Sequence, residues 1–340
     1  MSKLSFPILF GTLLLAGLIA DSRARAETVP EVSASRVIEL APPDSQEKTP
    51  VISSVALDPT GKYLAAVGDD HLVRLFDAQS GRLLHRFDLH VDWVHASVFR
   101  PDGQLLATSG ADGRIRFWNM DSTTRPHVLV EQLPVIYSLA FSPDGRMLAA
   151  AGFGDKVWIF DGRQGKLARE LAAPGNDIRA LSFSSDGSRL AAAGRAGVVR
   201  LWDAESGNQL ADVRVSPRRI CALEYSPDGK LLAAAGEERV VRLLDAASGE
   251  PLSDLPERSG DVLALCFCGP DKLASAGSGN VIHLWDVNAR QELRRLVGHT
   301  GSITTLVFDR GAETLISGGF DTTVRLWDLK HLDVERVTRR

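Results

Sequence analysis

Residues 181–203 read LSFSSDGSRLAAAGRAGVVRLWD, and the order of residue types in this stretch decides what the chain builds. An apolar run, Leu181 to Phe183, meets the turn triplet Ser185-Asp186-Gly187. A run of small residues to Gly194 follows, then Arg195-Ala196-Gly197, and the β-branched run from Val198 ends on Trp202-Asp203. Short apolar runs punctuated by Gly, Asp and Ser read as strands joined by tight turns, because Asp bonds the local backbone and Gly takes positive φ. A polar turn from Ala204 to Gly207 leads into a fourth run, Gln209 to Val215, so the unit holds four strands.

The unit recurs in both directions. Aligned on the residue pair that closes the third run, the chain shows Phe76-Asp77, Trp118-Asn119, Phe160-Asp161, Trp202-Asp203, Leu244-Asp245, Trp285-Asp286 and Trp327-Asp328, at steps of 42, 42, 42, 42, 41 and 42. A second marker keeps the register: Asp58-Pro59-Thr60-Gly61, then Pro-Asp-Gly at 101–103, 143–145 and 227–229, with Ser185-Asp186-Gly187 between them. The sixth unit has Gly269-Pro270-Asp271 and is one residue short, and the seventh keeps Asp309-Arg310-Gly311. A lone four-stranded sheet buries neither face well, so such units must stack around an axis.

This tandem pattern resembles the WD-repeat β-propeller family over residues 36 to 328, nearly the whole chain beyond its N-terminal leader. The resemblance implies an all-β fold: a seven-bladed propeller of four-stranded antiparallel blades. It also implies a ring closed by an N-terminal strand. Arg36 to Leu40 has strand character, and the seventh unit otherwise lacks a fourth strand. The competing donor, the segment from Leu329, is short and strongly charged.

The family's buried tetrad joins a His, a Ser or Thr, an Asp and the Trp. By register the second blade has His90, Thr108, Asp112 and Trp118, and the seventh has His299, Ser317, Asp321 and Trp327. His, Asp and a hydroxyl together imitate a catalytic triad, but a set that repeats is structural: it satisfies buried polar groups and locks a blade. Elsewhere Ser275 lacks its His, and the Asp position holds Gly154, Ala196, Glu238 or Gly279, so those blades are expected to rely on packing alone.

The family places three positions per blade on the face around the central channel. They map here to Trp93 and His95, to Tyr137 and Phe153, to Asp177, Arg179 and Arg195, and to Arg219 and Glu237. Blades two to five thus offer aromatics beside Arg, the residue types that dominate binding hot spots. The other side offers Asp261, Ser278, Ser302, Phe320, Val51 and Asp69, a weaker set. Arg218 beside Arg219 adds positive charge, which points to a partner protein or peptide carrying carboxylates. The bland reading is that these residues are solvated or merely plug the channel.

Composition limits the alternatives. Of 340 residues, 44% are hydrophobic and 24% charged, which excludes wholesale disorder and a multi-span membrane protein. A net charge of −4 offers no footprint for nucleic acid. Three Cys make no disulfide framework, and Cys266 and Cys268 sit as buried small hydrophobes would. No cofactor and no metal site are expected. A propeller hydrolase or small-ligand binder at the channel mouth would need His95, Asp177 and Asp261 to converge.

Residues 1–26 have the three parts of a signal peptide: Lys3, an apolar run from Ile8 to Ala20, and Ala24-Arg25-Ala26, with cleavage expected after Ala26. The apolar run is too short to span a bilayer. The expected organisation is therefore a signal at 1–26, a polar linker at 27–35, the propeller at 36–330 and a charged tail at 331–340. The expected protein is secreted or periplasmic: a monomeric, non-catalytic platform for protein partners within a larger complex.

Overall fold

The computed structural model describes residues 29–40, 49–120, 127–130, 132–257 and 259–330. The proposed signal and the charged tail lie outside them. Within each blade the strands pair antiparallel in chain order. Blade four runs Ile178–Phe183, Arg189–Gly194, Val198–Asp203 and Gln209–Arg214. The seven first strands, from Ile52–Leu57 to Ile303–Asp309, pack one on the next and the last returns to the first, so they form the inner ring of a seven-bladed propeller.

Seven hydrophobic clusters fill the seven junctions between neighbouring blades. The second strands explain the repeated Leu-Ala-Ala-Ala-Gly. Successive side chains on a strand point to opposite faces. Ala191 and Ala193 therefore enter the junction with blade five, while Ala192 enters the junction with blade three. Both faces are dry near the axis, where the wedge is narrow, so alternating polarity is lost and small residues fit.

The Gly that ends each second strand does something further. A Cβ on Gly152 would lie 1.9 Å from the carbonyl oxygen of Val135, and one on Gly110 would lie 1.9 Å from that of Trp93. Through that gap the first strand approaches and bulges, its register slipping between Ile136 and Ser138 and between Val94 and Ala96. A bulge leaves one residue unpaired and re-aims its side chain. The unpaired residues are Tyr137 and His95, and the other five blades repeat the device. Gly152→Ala is expected to cost roughly 2 kcal/mol in a denaturation midpoint, because backbone rather than a movable side chain stands in the way. An unchanged midpoint would break the link between this glycine and the bulge.

The ring closes as expected. Arg36–Glu39 pairs antiparallel with Thr323–Asp328 of blade seven, setting Ile38 opposite Val324, and Ile38 and Leu40 are buried against blades seven and one. The linker expected at 27–35 is corrected. Glu31–Ser33 is a strand, parallel to the outer strand Gln291–Val297, and makes blade six five-stranded. Polar composition concealed it: only Val32 and Ala34 pack inward, and the remaining attachment is backbone pairing, such as Arg295 N–H to the Pro30 carbonyl at 2.9 Å.

Both tetrads form. His90 bridges Asp112 through Nδ1 (2.9 Å) and Thr108 through Nε2 (2.9 Å), and Trp118 Nε1 donates to Thr108 Oγ1 (2.8 Å). His299, Asp321, Ser317 and Trp327 repeat this at 2.7–2.9 Å. Burial alone would raise the Asp112 carboxyl, but His90 and Arg116 outweigh it and hold it down to about 2. The expectation that the other blades rely on packing alone is corrected. An Arg four residues beyond the turn acid clamps it in blade one, Arg74 on Asp70 at 2.5 Å, and in blade five, Arg242 on Glu238 at 2.5 Å. Blade six keeps the Trp285-to-Ser275 bond at 2.8 Å. In blade four Ala196 removes the acid and Arg200 turns to Asp212 instead.

Candidate functional site

The bulge residues of all seven blades, Ser53, His95, Tyr137, Arg179, Cys221, Leu263 and Thr304, line one cavity of about 580 Å³ at the mouth of the channel. Asp92, Trp93, Arg219 and Phe320 join its wall from neighbouring loops. One half is aromatic. His95 stacks on Tyr137 with centroids 4.4 Å apart, Trp93 meets His95 edge-on at 5.7 Å, and Phe153 meets Tyr137 edge-on at 5.2 Å. The Arg179 guanidinium lies 3.6 Å over the Tyr137 ring and 5.4 Å from that of Phe153. Rings and guanidinium thus form one continuous stack across blades two to four, of a kind worth about 0.5–1.5 kcal/mol per contact beyond area burial.

The charges in the stack are already matched. Asp177, 5% exposed, accepts from Arg179 Nε at 2.6 Å and pairs with Arg219 at 3.3 Å, and Arg219 also reaches Glu237 at 3.0 Å. Two guanidinium groups face two carboxylates, and the pairs hold Arg179 over Tyr137. Burial, and then the Arg179 charge, push the His95 imidazole down to about 4, so it is neutral near pH 7 and stacks as an uncharged ring. The excess positive charge expected from the Arg side chains is therefore confined to Arg195 and Arg218, both exposed and outside the cavity wall.

Of the residues singled out in the sequence, Trp93, His95, Tyr137, Arg179 and Arg219 converge on the cavity. Phe153 stands beside it, 43% exposed, and Arg195 does not join. Sequence reasoning passed over Ser53, Cys221, Leu263 and Thr304. The Gly at the end of each second strand was the available signal, since it marks the bulge two residues after the carbonyl it admits. Of the three residues a hydrolase would use, His95 lines the cavity, Asp177 is paired with Arg179 and Arg219, and Asp261 lies 3.7 Å from Arg239. Among the described residues no group of three or more His, Cys, Asp or Glu could hold a metal ion, and no helix is long and apolar enough to cross a membrane.

Deeper on the inner ring, Glu224 reaches the Phe267 N–H of the next blade at 3.4 Å, as Ser182 reaches that of Tyr225 at 3.1 Å. Burial pushes the Glu224 carboxyl up to about 8 from its ordinary 4.5. A carboxyl raised on folding binds more protons in the folded state, so stability is lost as pH rises from about 4.5 to about 8. Glu224→Gln is expected to raise the melting temperature at pH 9 and to leave it nearly unchanged at pH 4, read by calorimetry at both. An equal shift at both pH values would contradict the raised carboxyl.

The model of the family described as "WD domain, G-beta repeat" matches residues 44–77, 81–119, 124–161, 165–203, 211–245 and 290–328, most of the chain. The chain belongs to the WD-repeat family. The matched stretches pass over 246–289, which carries the outer strand of blade five and the first three strands of blade six, the repeat that has lost the tetrad His, the turn acid and one turn residue. The chain is similar to a U3 snoRNP-associated protein-like protein of Arabidopsis thaliana, 36% identical over 17% of this chain and 12% of that one. It is also similar to a ribosome biogenesis protein BOP1 homolog of Leishmania infantum, 51% identical over 12% and 5%, and to pre-mRNA-processing factor 19 of Bos taurus, 31% identical over 23% and 16%. The matches to these relatives thus span less than a fifth of each relative's length.

The relatives are named for association with the U3 snoRNP, for ribosome biogenesis and for pre-mRNA processing, which are tasks inside the cell. They overturn the secreted or periplasmic expectation drawn from residues 1–26. That expectation rested on the three-part pattern of residues 1–26, which lie outside the described residues. WD-repeat propellers are interaction modules that generally carry no chemistry of their own.

Proposed function

We propose that this WD-repeat protein is a non-catalytic platform that seats a partner protein or peptide on the channel mouth. The observation that carries this reading is the half-exposed stack of Trp93, His95, Tyr137, Arg179 and Phe153 beside a cavity of about 580 Å³. Rigid rings and a pre-paired guanidinium offer contact area with little rotamer entropy left to lose. Because Asp177 and Glu237 already neutralise Arg179 and Arg219, the cavity favours an uncharged or aromatic side chain, and preference for an acidic segment rests on Arg195 and Arg218 at the margin. The propeller acts as a single rigid body within a larger complex.

The test is affinity capture with the full chain beside a variant carrying Trp93→Ala, Tyr137→Ala and Arg219→Ala, first checked for an intact fold by circular dichroism. A partner held by the natural protein and lost by the folded variant supports the reading. A partner retained equally by both moves binding to another face.

A further inference from the structure

On the face opposite the mouth, the groove between blades six and seven opens into a cavity of about 340 Å³. The turn of the shortened repeat, Cys268 to Lys272, lines it. In blades three, four and five a Ser locks the first turn: Ser142, Ser184 and Ser226 donate to Asp144, Asp186 and Asp228 at 2.5–2.6 Å and accept the N–H five residues on at 2.9 Å. Blade six has Cys268 at that place and one residue fewer in the turn. The Cys268 thiol turns instead to the Cys266 carbonyl at 3.7 Å.

The rest of the wall is apolar, formed by Leu284, Leu293, Phe308 and Leu329, and the cavity's volume is at the lower end of small-molecule sites, about 300–1,000 Å³. Three cations, Lys272, Arg294 and Arg310, share the lining with one acid, Glu313. Arg294 is 9% exposed and donates to the Leu293 carbonyl at 2.8 Å, so one cation is built into the wall rather than trailing in solvent. The register-equivalent groove between blades seven and one makes a control within the molecule. There Asp309 stands where Cys268 does, Thr314 where Lys272 does, and Asp328 adds a second acid, against one cation, Arg36.

We propose that the six–seven groove binds a small amphipathic carboxylate, its alkyl or aryl body against Leu284, Leu293, Phe308 and Leu329 and its head group on Arg310. An apolar body gains by leaving water, and a guanidinium holds a carboxylate through charge-assisted bonds. The acids of the seven–one groove would repel the same ligand.

Calorimetric titration of the full chain with octanoate, with octylamine as the cationic control, tests this. Saturable one-to-one binding of octanoate and none of octylamine is expected. Arg310→Gln should weaken it roughly tenfold, as loss of one charge-assisted contact does. Leu293→Trp should abolish it by filling the cavity, with melting of the Arg310→Gln protein unchanged as the control for fold. Equal binding of octylamine, or no saturable binding of octanoate, overturns the proposal. So does octanoate binding that appears only in a chain ending at Lys330, since the groove would then belong to the chain's own last ten residues.

Discussion

Trp327→Ala is expected to lower the unfolding free energy by about 3–5 kcal/mol, while Trp93→Ala shifts it by less than about 0.5 kcal/mol. Both delete an indole, and burial separates them. Trp327 is fully buried, packs with Ile303, Leu315 and Leu329 at the six–seven junction, and donates Nε1–H to Ser317 at 2.9 Å. Its removal leaves a cavity and strips a partner from a hydroxyl that also bonds His299. Trp93 is 41% exposed and touches the ring of His95 only by its edge. Urea midpoints of the two variants decide the matter, and the reverse order would mean that the blade register assigned here is wrong.

A chain beginning at Ala41 is expected to lose roughly 3–6 kcal/mol, from withdrawing the buried side chains of Ile38 and Leu40 at about 1.5–3 kcal/mol each. The loss has a second consequence. Without Arg36–Glu39, the strand Thr323–Asp328 becomes an unpaired edge, and such an edge recruits other chains. The truncated protein should therefore unfold at lower urea and also form oligomers visible by light scattering. An unchanged midpoint with a monomeric scattering mass would show that the ring does not depend on its closing strand.

The fold was legible because it is written seven times. A step of 42 residues between closing pairs, broken once by 41, repeats the same four runs and turns, so an error in one unit is corrected by six others. Legibility failed where an element has no counterpart. Glu31–Ser33 occurs once, is three residues long, and owes its place to backbone bonds that any sequence can make. The Arg clamps in blades one and five escaped notice because the family pattern draws attention to the absent His rather than to the Arg four residues beyond the acid.

The candidate site divides in the same way. Repeat register alone brought Trp93, His95, Tyr137, Arg179 and Arg219 to one end of the channel, because a residue's place in the unit is also its height and direction in the ring. The charge state of that surface was a tertiary matter. Which carboxylate meets which guanidinium depends on contacts between Asp177 and Arg219, 42 positions apart and in different blades. Those contacts turned an apparent basic patch into a neutral aromatic one. The cavity at the six–seven groove is likewise invisible in the chain, where one missing residue looks like a minor irregularity. Packing makes it a cavity, because its walls come from strands of two blades, and the shortened turn decides only which residues line it. Sequence determined the number, order and facing of the strands; the tertiary structure decided charge pairing and empty space, which depend on distances between residues far apart in the chain.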